Sequence, residues 1–175
     1  PVQAQVTGDA KAGEGKVAMC IGCHGIIGYK ASFPEVYKVP RIAGQNAKYI
    51  GAVLESYKKG DRKHPSMRGI ATSLTEQDIA DVSAYYEELG KQPGAAELPA
   101  PREPNAQVAA LLQKGACVSC HGDNFSKPID PSYPKIAGQY PDYLYVALKA
   151  YRDNSHHTWG RANLVMAGMV KQFSN

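Results

Sequence analysis

Cys20-Ile21-Gly22-Cys23-His24 and Cys117-Val118-Ser119-Cys120-His121 are two copies of one pattern, in which a histidine directly follows a Cys-x-x-Cys pair. These two segments contain all four cysteines of the 175-residue chain. The thiol chemistry of the chain is therefore concentrated in two short stretches, each with an imidazole beside it.

Three kinds of chemistry use a Cys-x-x-Cys pair. Two thiols at this spacing can form thioethers to the two vinyl groups of one porphyrin, and the adjacent imidazole then meets the iron. Two such pairs could instead share one zinc ion, but both histidines would be unexplained. A redox dithiol is expected within a βαβ pattern, which the sequence lacks. The pattern therefore favours covalent attachment of haem c through Cys20, Cys23, Cys117 and Cys120, with His24 and His121 as the proximal iron ligands.

The chain repeats itself. Pro40-Arg-Ile-Ala-Gly-Gln45 recurs as Pro134-Lys-Ile-Ala-Gly-Gln139, and Met67-Arg-Gly-Ile-Ala recurs as Met166-Ala-Gly-Met-Val. Internal similarity of this length indicates a tandem duplication. We predict one unit over 1–89, a second over 106–175, and a stiff proline-rich linker over 90–105.

Both units are predicted to be all-α. Helical spacing of apolar residues predicts a helix over 47–59 and its repeat around 144–151. Capping residues predict three more helices, beginning after Asp9 and running through Ala18, after Asn105 to about Gly115, and after Thr75 through Leu89. No strand pair is expected.

Composition excludes several classes of protein. The longest stretch without a charged side chain, Val17–Tyr29, is too short to span a bilayer. The first residues lack the features of a signal peptide, so we expect any such peptide to have been removed or never present. A net charge of +4 is too small to indicate nucleic-acid binding.

These motifs together resemble a known family. Each unit is similar to a small class I cytochrome c: an N-terminal helix, Cys-x-x-Cys-His, Pro-x-hydrophobic-x-Gly, a middle helix and a methionine loop. Two units in one chain resemble the dihaem cytochrome c4 family. The resemblance implies two haem c groups, an electron carrier rather than an enzyme, and a soluble protein of the periplasm. It also implies that each unit closes with a helix. The sequence ends before such a helix in the second unit, and we expect residues to be missing there.

The resemblance also implies the hydrogen bonds around the proximal histidines, in which the carbonyls of Pro40 and Pro134 would accept from His24 and His121. The repeat assigns the sixth iron ligands, because Met67 aligns with Met166. His64 in the first unit, and Met169, His156 or His157 in the second, are the other candidates.

Further residues are assigned by position near the haems. Ile42 and Ile136, with Leu54 and Leu148, are candidates for the apolar shell. By resemblance, a last group of four side chains either binds haem propionates or meets across the domain interface: Gln45, Gln139, Tyr49 and Tyr143.

The expected partners are redox proteins, such as a quinol-oxidising complex, a copper protein or a terminal oxidase, with transient docking to membrane complexes. A cluster of cations around the Met67 loop, either a docking patch or a solvated loop, consists of Lys58, Lys59, Arg62, Lys63 and Arg68. The alternative functions are a dihaem peroxidase, or an electron-transfer subunit of a flavocytochrome or oxidase complex.

Overall fold

The computed structural model describes residues 6–92 and 103–174. Most of the predicted linker, 93–102, lies outside the described residues. Helices dominate the rest, as predicted. The first unit contains α1 (Ala10–Glu14), α2 (Ala18–His24), α3 (Ala47–Lys59), α4 (Pro65–Thr72) and α5 (Glu76–Leu89). The second contains α6 (Ala106–Lys114), α7 (Val118–His121), α8 (Pro141–Arg152) and α9 (Leu164–Val170).

The predicted helix starts are confirmed. Thr75 and Asp78 form a reciprocal capping box at the start of α5, and Asn105 accepts a hydrogen bond from the backbone of Val108 at the start of α6. Asp9 caps α1, but the prediction of one helix from there through Ala18 is wrong. The chain leaves the helix at Gly15 and starts α2 afresh, because glycine stabilises a helix interior poorly and favours its end.

Two very short antiparallel strand pairs were not predicted. β1 (Lys30–Ala31) pairs with β2 (Tyr37–Lys38) inside the first unit. β3 (Arg62–Lys63) pairs with β4 (Gly160–Arg161) and thereby joins the two units. Strands of two residues have no alternating pattern, so the sequence gives no periodic signal for them.

The main apolar core lies in the first unit, where α1 and α3 pack on α5. Gly13 of α1 lies directly against α5, since a Cβ at this position would stand 2.2 Å from the carbonyl oxygen of Asp81. Such a close approach excludes any side chain at Gly13. The core consists of Val17, Ile50, Leu54, Tyr57, Ala71, Leu74, Ile79, Val82 and Tyr86.

The second unit has fewer buried apolar residues than the first. Its buried apolar residues are Val146, Ala147, Ala150 and Val170. Helix α6 has no buried residue, and its Val108 and Leu111 are 42% and 46% exposed. None of the helices in the described ranges has the length and apolar character needed to cross a bilayer.

Candidate haem sites

The first Cys-x-x-Cys-His motif lies on α2. The Nδ1 atom of His24 is 2.8 Å from the carbonyl oxygen of Pro40. Since a carbonyl can only accept, Nδ1 carries the proton and the lone pair of Nε2 is available to a metal. Burial lowers the pKa of His24, although the bond to Pro40 opposes this shift. A neutral imidazole with a fixed ring is the state that ligates iron.

The second motif, on and before α7, has the same arrangement. Nδ1 of His121 is 3.0 Å from the carbonyl oxygen of Pro134, and His121 is 9% exposed. Pro40 and Pro134 occupy the same place in the repeat, so both imidazoles present Nε2 in the same way.

The donor sets fit covalently attached haem. All four thiols are free of disulfide bonds. Large apolar side chains next to the motifs remain at the surface, where a porphyrin could cover them: Met19 is 52% exposed, Ile21 48% and Val118 39%. A shared zinc site is not supported, since nowhere in residues 6–92 or 103–174 do three His, Cys, Asp or Glu side chains group as metal ligands.

Met67 and Met166 have equivalent positions in α4 and α9. Each is the third residue of its helix, and the backbone N–H of each donates to the side chain that caps that helix. The cap is Nδ1 of His64 for Met67, at 3.4 Å, and Oδ1 of Asn163 for Met166, at 2.9 Å. The two methionines therefore stand at the same position of their helices, although the side chains that cap the helices differ.

The other candidates for a sixth ligand are less suitable. Both ring nitrogens of His64 have hydrogen-bond partners. Nε2 is 3.0 Å from the hydroxyl of Tyr37, and Nδ1 accepts from the backbone N–H of Met67. Met169 aligns in the repeat with Ile70 and not with Met67. His156 and His157 stack on each other in an exposed loop.

The four residues predicted for the apolar shell around the haems differ in burial. Leu54 belongs to the core and Ile42 packs against it. Ile136 is half-buried, whereas Leu148 is 44% exposed.

Each of the two glutamines binds the backbone of the other unit across the interface, in a reciprocal arrangement. Nε2 of Gln45 donates to the carbonyl of Lys135 at 2.9 Å, and Oε1 accepts from its N–H at 2.9 Å. Gln139 makes the same pair of bonds with Arg41, at 2.9 and 3.1 Å. Since Arg41 and Lys135 are equivalent in the repeat, the interface has an approximate two-fold symmetry.

Tyr49 and Tyr143 also meet at the interface, through arginines that the sequence did not assign to it. The Tyr49 hydroxyl accepts from Arg62, and the Tyr143 hydroxyl accepts from both Arg62 and Arg161. The repeat does indicate that the two arginines are equivalent, because Arg62 and Arg161 each stand five residues before the methionine of their unit.

The idea of a five-cation docking patch is wrong. Arg62 is 6% exposed, because it forms the centre of the unit interface. Lys58 donates to the carbonyl of Leu74, and Lys63 donates to two carbonyls of the second unit. Only Lys59 and Arg68 of the five side chains are exposed.

Comparison with known proteins agrees with this geometry. The cytochrome c family model matches residues 10–90 and again 106–175. Cytochrome c4 of Azotobacter vinelandii is 30% identical, over 98% of this chain and 85% of the relative. The "Thiosulfate dehydrogenase electron acceptor" of Stutzerimonas stutzeri is 30% identical, over 78% of this chain and 64% of its own. The crystal structure of reduced cytochrome c4 from Pseudomonas stutzeri has a TM-score of 0.62 at 28% identity, over 96% and 92% of the two chains.

Two motif-bearing units, two haem-type donor sets and relatives that extend over nearly the whole chain all agree. The chain therefore belongs to the cytochrome c4 family: it is a dihaem electron carrier of two tandem cytochrome c domains, each with one covalently bound haem c.

Proposed function

We propose that His24 and Met67 would bind one haem iron, and that His121 and Met166 would bind the other. The observation that carries this proposal is the matched pair of proline-bound histidines, each with a capped helix that presents one methionine in the same domain. The haem iron supplies the one-electron chemistry.

The ligand set determines what the protein does with that chemistry. With a histidine and a methionine bound, each iron would have no free position for peroxide or oxygen. A methionine thioether favours ferrous iron and raises the reduction potential. Both domains would therefore carry single electrons only, which separates this function from that of a dihaem peroxidase.

The domain division that we propose is 1–89 and 106–175, and the contacts between the two parts support electron transfer within the chain. The two glutamine pairs, the β3–β4 ladder and the ion pair between Lys38 and Asp142 hold the domains together. A fixed interface keeps the distance between two redox centres constant.

Redox proteins are the partners of this chain. The similarity to an electron acceptor of thiosulfate dehydrogenase supports an oxidoreductase of that kind as one donor, and a terminal oxidase, a quinol-oxidising complex or a copper protein are the other partners that we propose. Covalent haem attachment to Cys-x-x-Cys-His takes place outside the bacterial cytoplasm, so we place the protein in the periplasm.

A visible spectrum of the oxidised and reduced protein, with haem quantified per chain, tests the ligand assignment. We expect two low-spin haems, with the weak far-red band of iron–methionine ligation accounting for both. A high-spin signal, or that band at half strength, would show that one iron lacks methionine and would revive the peroxidase alternative.

A further inference from the structure

His64 caps helix α4 with a side chain that is unusual in this position. Helix caps are normally Ser, Thr, Asp or Asn, and Asn163 fills the equivalent place before α9. At the start of α4, Nδ1 of His64 accepts from the backbone N–H of Met67 at 3.4 Å. This N–H is one of the donors that the first turn of a helix leaves without a backbone acceptor. The presence of an imidazole instead of an amide therefore calls for an explanation.

The second nitrogen of the ring supplies that explanation. Because Nδ1 accepts, the proton of the neutral imidazole lies on Nε2, which is 3.0 Å from the hydroxyl oxygen of Tyr37. Tyr37 belongs to β2 and is 6% exposed. The ring of Phe33 also meets the imidazole edge to face, with 6.0 Å between the two centroids. His64 therefore links the start of α4 to the segment that contains β1 and β2.

The backbone on both sides of His64 is constrained as well. The two residues before it form β3, which pairs with β4. Pro65, directly after it, is the first residue of α4, where a proline loses no helical hydrogen bond and has a suitable φ. His64 thus stands between a paired strand and a helix, and its ring contacts three other residues. A shift of this ring would be passed on to Met67, the third residue of α4.

The cap of the second unit has no such additional link. Oδ1 of Asn163 accepts from the backbone N–H of Met166 at 2.9 Å. Its side chain makes no other hydrogen bond within residues 6–92 and 103–174. The side chain that caps α9 is therefore bonded to its own helix alone, whereas the one that caps α4 is bonded to a second element too.

We propose that His64 is a positioning residue for Met67, which keeps the methionine of the first domain in place for the haem iron. This inference rests on the proposed ligand pair of His24 and Met67. The bond to Tyr37 fixes the imidazole, and the imidazole fixes the backbone from which the thioether extends. A ligand that is already held in place loses less freedom on binding, so the Met67–iron bond is harder to displace than it would be without His64.

Competition with added imidazole tests the proposal, because imidazole and methionine bind the same position of ferric iron. The titration uses the ferric holoprotein with Met166→Ala, in which the remaining far-red band reports Met67 alone. We expect His64→Ala to raise the imidazole affinity of the first haem about two- to tenfold, the effect of one lost hydrogen bond. Tyr37→Phe, which removes only the phenolic oxygen, should give a smaller change in the same direction.

His64→Asn is the conservative variant, because asparagine caps the equivalent helix in the second unit. It keeps a cap for Met67 and removes the bond to Tyr37. We therefore expect its imidazole affinity to match that of Tyr37→Phe and to stay below that of His64→Ala. An affinity as high as that of His64→Ala would show that the cap does not position Met67, and it would overturn the proposal.

Two controls separate positioning from a general loosening of the protein. Asn105→Ala removes the cap of α6 and should leave the imidazole affinity of the first haem unchanged. In the Met67→Ala protein, whose band reports Met166 alone, His64→Ala should also change nothing. Equal affinities for His64→Ala and Asn105→Ala, or equal shifts at both haems, would overturn the proposal. A Met166→Ala protein without any far-red band would instead contradict the proposed ligands of the first haem, and this inference with them.

Discussion

The side-chain amide of Gln45 binds the backbone of Lys135 with both of its polar atoms, each bond being 2.9 Å long. The amide thereby pairs with both backbone groups of Lys135, as the backbone of a neighbouring strand would, and it links the two Pro-x-hydrophobic-x-Gly segments. Because the carbonyl of Pro134, the residue before Lys135, accepts from His121, Gln45 of the first domain holds the segment that orients an imidazole of the second.

Removing this amide should loosen the second domain locally. Gln45→Ala deletes two hydrogen bonds, each with a net value of about 0.5–1.5 kcal/mol. We expect the N–H of Lys135 to exchange with deuterium about tenfold faster or more. Gln107→Ala, on the exposed face of α6, is the control. Equal protection in both variants would show that Gln45 contributes nothing to the interface.

The close contact of α1 and α5 leads to a second prediction. A Cβ at Gly13 would lie 2.2 Å from the Asp81 carbonyl oxygen and 2.8 Å from Cβ of Tyr85, so Gly13→Ala must push the helices apart. We expect a loss of about 1–3 kcal/mol in the free energy of unfolding, measured by urea denaturation.

Gly15→Ala is the matched control for this variant. It lies at the end of the same helix, and its nearest contact would be an ordinary 3.8 Å. Its stability should stay within about 1 kcal/mol of wild type or rise slightly. Similar losses in both variants would contradict the close-packing explanation.

Asp81 makes stability depend on pH. It is 2% exposed, accepts from Lys16 at 2.7 Å and from the backbone of Asp9 at 2.8 Å. These bonds, that from Lys16 first, lower the pKa of Asp81 below its ordinary 3.8. A lowered pKa stabilises the folded state fully above the ordinary pKa, and this stabilisation is lost as the pH falls through the folded value.

We therefore expect the thermal midpoint of the wild type to fall steeply below about pH 4. Asp81→Asn should have a lower midpoint at neutral pH and a shallower fall in acid. Asp123→Asn, in an exposed loop of the second domain, should follow the wild type. Parallel wild-type and Asp81→Asn curves would remove Asp81 from the acid response.

The helices and the family were predictable because both depend on short-range patterns. The α3 and α5 bounds were predicted to the residue by apolar spacing and by the Thr75–Asp78 box. The break at Gly15 was missed, since a glycine near a helix end is compatible with either continuation or termination. The identity of the haem-binding segments followed from a motif whose chemistry leaves few alternatives.

The interface could not be predicted in the same way. Arg62 stands among four other cations in the sequence, and a solvated or docking role follows naturally from such a cluster. Its burial depends on β4, which lies 99 positions further along the chain, and on tyrosines from two separate helices, α3 and α8. Contacts of that range leave no local pattern, although the repeat of Arg62 as Arg161 could have indicated a common role.

The last prediction concerns the sixth ligand of the second haem, where the sequence offers two methionines on one helix. Met166 aligns with Met67 in the repeat, and its backbone N–H donates to the Asn163 cap, whereas Met169 aligns with Ile70. Met166→Ala should remove one iron–sulfur bond, halve the far-red band and lower the potential of one haem, because the thioether favours ferrous iron. Met169→Ala, one helical turn away, should leave the band at full strength. If Met169→Ala halved the band and Met166→Ala left it at full strength, the iron–sulfur bond would belong to Met169. A band of half strength in the wild type would show that one domain has no methionine ligand. Met67→Ala supplies the corresponding variant in the first domain, and the double variant Met67→Ala with Met166→Ala should abolish the band.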